Sequence, residues 1–302
     1  MTRRGLVLRA VGGAYTVEIE GAEVACSLRG RLKVEEGLGR VAVGDEVEVE
    51  LVGGGSAAIV EVHRRRTKLS RRSAHGTKEQ IIAANVERLA AVFAVERPAP
   101  NFILLDRLLV VAELSGIEPF VVANKVDLTG LERARDSFRD YEAAGYPVVY
   151  ASAVSEPGVA RLREELAGRI TAFVGPSGGG KSTLLNAIQP GLGLRVGEVS
   201  RSLGTGRHTT VEASLHPLAA GGYVADTPGL RKLKLWEVPE GALDAAFREF
   251  RPHLGGCRFP DCRHLREPDC AVRAAVERGE IAERRYRSYV VILAEKEGAR
   301  PY

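Results

Sequence analysis

Ile170-Thr171-Ala172-Phe173-Val174-Gly175-Pro176-Ser177-Gly178-Gly179-Gly180-Lys181-Ser182 decides the fold of this 302-residue chain. Ile170 to Val174 reads as a buried strand. The remainder fits G-x-x-x-x-G-K-[ST] and opens a helix at Lys181. A strand before and a helix after separate a phosphate-binding loop from a chance glycine-rich turn. The glycines let successive N–H groups point into one concavity at a helix N-terminus, which suits an anion. Lys181 is expected to reach the β- and γ-phosphates of a nucleotide, and Ser182 to offer its hydroxyl to Mg²⁺.

The same texture extends N-terminally from this loop. Leu89 to Val95, Pro119 to Ala123 and Pro147 to Tyr150 read as strands. Asn101 can cap a helix through Leu114, with Gly116 beyond its end; Leu131 to Ala144 and Val159 to Ala167 read as further helices. Strands alternating with helices imply a parallel sheet covered on both faces, which binds ligands beyond the C-terminal ends of its strands.

A phosphate loop does not say which nucleotide binds. Asn124-Lys125-Val126-Asp127 follows the strand Pro119 to Ala123. A carboxylate at Asp127 can accept from the two guanine N–H groups, which adenine lacks in that arrangement, and a buried carboxylate left unpaired is costly. Asn124 can buttress the loop and contact the purine edge, and the Lys125 stem can lie over the base. Ala151-Ser152-Ala153, after the strand at 147–150, resembles the serine-alanine loop that contacts the guanine oxygen.

Two more stretches suit a γ-phosphate. Asp226-Thr227-Pro228-Gly229 fits D-x-x-G after the strand Tyr223 to Ala225. Asp226 can hold a Mg²⁺-bound water, and the Gly229 N–H can touch the γ-phosphate. Gly206-Arg207-His208-Thr209-Thr210 precedes it; one of Thr209 and Thr210 is expected to complete the Mg²⁺ shell, and the sequence does not choose between them. The position that often holds a water-orienting glutamine is Leu230, which cannot do this. His208 is the candidate to position or deprotonate the water, against the alternative of an exposed loop histidine.

Near the C-terminus Cys257, Cys262, His264 and Cys270 form C-x4-C-x-H-x5-C. Three thiolates and an imidazole saturate a tetrahedral Zn²⁺, so a structural site is expected. His253 is a rival ligand, with His264 preferred. Around this loop Ala242 to Phe250, Ala271 to Arg278 and Ile281 to Ala294 read as helices. At the other end, Tyr15 to Ile19 and Asp45 to Leu51 alternate with period two among many glycines, so four or five short strands in residues 1–66 suggest an OB-type barrel. Cys26, alone there, reads as a small buried apolar residue.

The nucleotide motifs run N-K-x-D, serine-alanine, phosphate loop, threonines, D-x-x-G. Ordinary small GTPases begin with the phosphate loop, so the order is rotated, as in a circular permutation. With these residues in place, the chain resembles the bacterial RsgA family of ribosome-small-subunit-dependent GTPases over almost its whole length. Arg29-Gly30-Arg31-Leu32-Lys33 and Val43-Gly44-Asp45 resemble its barrel, NKVD, GPSGGGKST, GRHTT and DTPG its permuted core, and 257–293 its zinc region.

The resemblance implies an α/β fold: an OB-type barrel at 1–66, a circularly permuted P-loop GTPase domain at 67–233 and a helical zinc-binding domain at 234–302. It implies His208 as the catalytic residue. It implies GTP contacts from Asn124, Lys125, Val126, Asp127, Ser152, Ala153, Gly175, Pro176, Ser177, Gly178, Gly179, Gly180, Lys181, Ser182, Thr183 and Gly229. Mg²⁺ falls to Ser182, Thr209 or Thr210, and Asp226; one structural Zn²⁺ falls to Cys257, Cys262, His264 and Cys270. The implied activity is GTP hydrolysis stimulated by the small ribosomal subunit during its late maturation, with ribosomal RNA as partner and a monomeric, cytoplasmic protein. An ATP-dependent P-loop enzyme and an RNA-binding scaffold with little turnover are the rival readings; Asp127 argues against the first.

Composition sets the outer limits. A total of 43 Lys+Arg against 39 Asp+Glu leaves +4, which permits a nucleic-acid partner without demanding one. Apolar runs fall short of the roughly 18 residues of a membrane helix. Arg9 and Glu18 break the stretch after Met1-Thr2-Arg3-Arg4, so a cytosolic protein is expected. Arg64 to Arg72 carries six basic residues in nine, either as a solvated linker or as a phosphate-backbone contact, and Arg284 to Arg287 is a second basic run on the far side of the core.

Overall fold

The computed structural model describes residues 2–33, 40–52, 56–72, 79–192, 213–226 and 241–298. Period-two alternation in the N-terminal region resolves into β1 (Thr2–Val11), β2 (Ala14–Ile19), β3 (Ala22–Lys33), β4 (Glu46–Val52) and β5 (Ser56–Val62). Val47 and Val49 turn inward while Glu46, Glu48 and Glu50 alternate with them on the outer side. The strands pair in the order β1-β2-β3-β5-β4, and β4 returns to β1, closing a five-stranded barrel. The β3–β5 contact is parallel and the others antiparallel, the Greek-key connectivity of an OB-type barrel. Val7, Val17, Val47, Val49 and Ile59 fill its core. Cys26 is buried among them, and burial pushes its thiol pKa up.

The basic run at 64–72 is ordered rather than a free linker, and Arg64 and Arg66 within it stay exposed. Its second half is β6 (Lys68–Arg72), paired antiparallel with β7 (Glu79–Ala84). Leu69 is fully buried, so this strand is pinned by one apolar residue among charges. Arg65 donates from Nε to Asp45 Oδ1 at 2.7 Å and from Nη2 to Oδ2 at 2.7 Å. Asp45 is fully buried and also accepts from the Ala42 N–H at 2.7 Å. This fork-to-fork pair joins the end of the barrel to the start of the next unit.

The α/β unit contains β8 (Arg88–Ala94), α1 (Phe102–Leu114), β9 (Glu118–Asn124), α2 (Leu131–Ala143), β10 (Val148–Ala151), α3 (Glu156–Leu166), β11 (Ile170–Val174), α4 (Lys181–Ile188), β12 (Ser214–Pro217) and β13 (Tyr223–Asp226). β10, β9, β8, β11 and β13 are parallel neighbours; β12 joins antiparallel to β13. All seven residues of β8 and all five of β11 are buried, as central parallel strands require. One face carries α1 and α2 through Leu105, Leu109, Phe138 and Tyr141; the other carries α3 and α4 through Leu162 and Leu184. Asn101 Oδ1 accepts the Leu104 N–H at 3.0 Å and caps α1. β12 also bridges to β1 through Arg9 and Ser214, so barrel and core share one eleven-stranded sheet.

The C-terminal region packs a third core of Leu243, Phe247, Phe250, Val272 and Ile292. The helix expected at 242–250 is absent. Turns precede a 3-10 helix at Arg248–His253. Asp244 Oδ1 accepts the Ala245 N–H at 2.7 Å, a local bond that competes with helix formation, and Pro252 cannot donate. α5 (Ala271–Glu277) and α6 (Glu283–Lys296) follow. The second basic run is also tied down. Arg285 is fully buried between Asp106 and Glu249, Arg284 meets Asp140 at 2.8 Å, and Arg287 meets Glu283. No helix among the described residues is long and apolar enough to cross a membrane.

Candidate nucleotide site and metal centre

The phosphate loop leaves β11 at the C-terminal edge of the parallel sheet and enters α4 at Lys181. It lies tightly against its neighbours, which is why it is glycine-rich. A Cβ at Gly175 would sit 2.1 Å from the Val92 carbonyl oxygen, and one at Gly180 would sit 2.4 Å from Asn124 Nδ2. Gly180 has a φ of 88° and turns the chain into the helix. Lys181 bends back over the loop, its Nζ donating to the carbonyls of Gly175 at 2.8 Å and Pro176 at 2.7 Å. Ser182 and Thr183 occupy the first turn of α4; Thr183 and Ser177 are exposed, and Pro176 and Gly179 lie deeper.

The NKVD segment ends β9 directly beside this loop. Asn124 is 1% exposed, and its Nδ2 donates to the Gly179 carbonyl at 2.9 Å. Its Oδ1 is buried without a hydrogen-bond partner among the described residues. Lys125 takes a left-handed φ of 64°, and its Nζ donates to the Arg97 carbonyl at 2.5 Å. Val126 and Asp127 lie in the 3-10 turn Val126–Leu128. Ser152 Oγ donates to Asp127 Oδ1 at 2.5 Å, and Ala153 packs on the α3–α4 face. The serine-alanine loop therefore holds the Asp127 carboxylate.

The fold thus brings together Asn124, Lys125, Val126, Asp127, Ser152, Ala153 and the phosphate loop through Thr183. Asp226 ends β13 opposite Phe173 of β11, which places its backbone beside the strand that feeds the loop. His208, Thr209, Thr210 and Gly229 lie outside the described residues. Sequence reasoning missed the turn after β8. Its Arg97 carbonyl holds Lys125, and Pro98 Cδ lies 3.2 Å from where a Cβ on Gly178 would stand. The signal was present as two prolines, Pro98 and Pro100, just beyond a buried strand.

Cys257, Cys262, His264 and Cys270 converge, with their ligand atoms within 4.8 Å of one another. His264 Nδ1 lies 3.6 Å from Cys257 Sγ, 3.6 Å from Cys262 Sγ and 3.4 Å from Cys270 Sγ; the Cys257 and Cys270 sulfurs are 3.9 Å apart. Zinc bonds of about 2.3 Å to sulfur and about 2.0 Å to nitrogen in a tetrahedron imply edges of about 3.8 Å between sulfurs and about 3.5 Å between sulfur and nitrogen. The donor set therefore fits a tetrahedral metal ion. Cys270 Sγ also accepts the Arg273 N–H at 3.5 Å at the start of α5. Tyr286 and Tyr289 pin the loop by donating to the His264 and Arg263 carbonyls at 2.6 and 2.9 Å. His253, the rival ligand, instead faces Glu280 at 3.7 Å.

Comparison with known proteins agrees with this architecture. The family model described as RsgA GTPase matches residues 62–236, and that described as RsgA N-terminal domain matches residues 4–59. The Small ribosomal subunit biogenesis GTPase RsgA of Gemmatimonas aurantiaca is 46% identical over 299 residues, with 97% of each chain covered. The protein of the same name from Moorella thermoacetica is 45% identical over 291 residues, with 96% of each chain covered. Among solved structures, YjeQ from Thermotoga maritima matches with a TM-score of 0.82 at 37% identity, over 99% of this chain and 100% of that one. YloQ, described as a circularly permuted GTPase, matches at 0.77 and 29% identity, over 100% of this chain and 98% of that one. With the rotated motif order set on this sheet and the family model spanning more than half its length, the chain belongs to the RsgA GTPase family.

Proposed function

We propose that this protein hydrolyses GTP in the maturation of the small ribosomal subunit, as the names of its relatives indicate for them. The observation that carries the reading is the joining of Asn124 to Gly179, which sets a guanine-type motif against a phosphate loop at one sheet edge. Asp127, held by Ser152, accepts from the guanine N–H groups; Lys125, anchored on Arg97, lies along the base. The amides of Gly175 to Gly180 and the Lys181 ammonium hold the phosphates, and Gly229 meets the γ-phosphate. Ser182, Asp226 and one of Thr209 and Thr210 hold Mg²⁺, which neutralises charge on the phosphates when bound. His208 positions the attacking water.

The chain divides in this reading into a barrel at 1–66, a permuted GTPase domain at 67–233 and a metal-binding domain at 234–302. Cys257, Cys262, His264 and Cys270 take one Zn²⁺, which is structural because no ligand position stays open. The partner is ribosomal RNA of the small subunit, and the protein acts in the cytoplasm as a monomer. Basic side chains that remain exposed, such as Arg64 and Arg66, support the RNA reading better than Arg65 or Arg285, which are buried in ion pairs.

The test is GTP hydrolysis with and without purified small subunits. Turnover should rise with subunits and collapse in His208→Ala with GTP affinity retained. No turnover in either condition would instead make the protein an RNA-binding scaffold. Asp127→Asn should shift preference from GTP toward xanthosine triphosphate; retained guanine preference would remove Asp127 from base reading.

A further inference from the structure

We propose that Asp244 is an outer carboxylate of the metal centre, orienting His264 so that Nδ1 is its ligand atom. The inference rests on the zinc reading of Cys257, Cys262, His264 and Cys270, and extends it to a residue outside their sequence pattern. His264 is 3% exposed, and its two ring nitrogens face different groups. Nδ1 points at the three sulfurs. Nε2 is buried, makes no ordinary hydrogen bond among the described residues, and has Asp244 Oδ2 3.5 Å away.

A neutral imidazole carries one proton, and a metal takes the nitrogen without it. A carboxylate facing Nε2 favours the tautomer with its proton there and frees Nδ1 for the metal. Asp244 is itself held, because its Oδ1 accepts the Ala245 N–H at 2.7 Å. The ring has little room to rotate away: Phe250 stands edge-on with centroids 6.3 Å apart, and Tyr289 lies at 6.2 Å. The same contact ties the turn that carries Asp244 to the metal loop.

The experiment uses the full chain and reads metal, not GTP turnover. Zinc content of the purified wild type comes first, then competition for zinc against a chromogenic chelator in wild type, Asp244→Ala and Asp244→Asn. Folding is followed by circular dichroism. Asp244→Ala should bind zinc about 10- to 100-fold more weakly, and Asp244→Asn should show a smaller loss. The asparagine variant keeps the side-chain shape and decides the matter if the alanine variant does not fold. Cobalt loaded into the variants should keep the absorption of a tetrahedral three-sulfur site while binding more weakly. Zinc affinity within about twofold of wild type in both variants would overturn the assignment. A wild type that takes up no zinc would overturn the metal reading itself, and this inference with it.

Discussion

Asn124 Nδ2 and the Gly179 carbonyl, 2.9 Å apart, connect two motifs separated by 55 residues in sequence. The bond is buried, and it fixes how far the NKVD segment stands from the glycine-rich loop. Its removal leaves a buried carbonyl without a donor, which costs about 1–3 kcal/mol. Asn124→Ala is therefore expected to weaken GDP and GTP binding together, by about tenfold for a loss of about 1.4 kcal/mol. A titration with a fluorescent guanine nucleotide checks this. Unchanged affinity would mean that the two motifs hold their spacing without this bond.

Arg65 and Asp45 form the corresponding tie between barrel and hairpin. Both side chains are almost fully buried, at 6% and 0% exposure, so each neutralises the other out of water. Truncating one partner of a buried pair strands the other and costs about 3–5 kcal/mol. Arg65→Ala should lower the melting temperature by more than Arg66→Ala, whose guanidinium is 62% exposed and meets Glu46 at 3.1 Å. Equal melting temperatures for the two variants would show that the forked pair adds nothing to the seam.

How far the sequence could be read depends on what each residue's partner is. The phosphate loop, Asn101 at the start of α1 and the buried run of β8 were legible because their signals are local: glycine spacing, a capping side chain, an unbroken apolar stretch. The cluster that could hold a metal ion was legible because three cysteines and a histidine crowd within fourteen positions. β6 was not, because Lys68-Leu69-Ser70-Arg71-Arg72 becomes a strand only through β7. β12 is four residues ending at Pro217, and its meaning lies in pairing with β13 and touching β1. Arg285 looks like one more surface base until Asp106 and Glu249, far away in sequence, close around it. The helix expected at 242–250 followed side-chain spacing, which does not register the Asp244 turn or Pro252.

Arg285 sets up a sharper test than simple truncation. It lies on α6, donates to Asp106 on α1 and to Glu249 at 2.6 Å, and so clamps the metal-binding region onto the GTPase core. Burial alone would lower its pKa; the two carboxylates outweigh that and raise it, so it remains charged. Arg285→Met should destabilise by about 3–5 kcal/mol, because it removes the guanidinium that Asp106 and Glu249 share. Replacing all three by apolar residues of similar volume should recover much of that loss. Denaturant unfolding of the single and triple variants measures both. A triple variant no more stable than the single one would show that the clamp contributes more than charge neutralisation.

Glu267 gives the metal loop a pH dependence of its own. Its carboxylate accepts N–H groups from Arg263 at 3.0 Å, Leu265 at 2.8 Å and Arg266 at 2.9 Å. Partial burial alone would raise its pKa, but the backbone donors outweigh it and bring the value down to about 2. An unfolded glutamate titrates near 4.3, above the folded value. The carboxylate therefore adds its full stabilisation above about pH 5, and loses it as the pH falls toward about 2. Solvent reaches the group, so the contribution is expected to be about 1 kcal/mol rather than the full shift. Glu267→Gln should melt below wild type at pH 7, and the gap should narrow steadily between about pH 5 and about pH 3. A gap that stays constant across that range would show that the three amides recognise the shape of the side chain and not its charge.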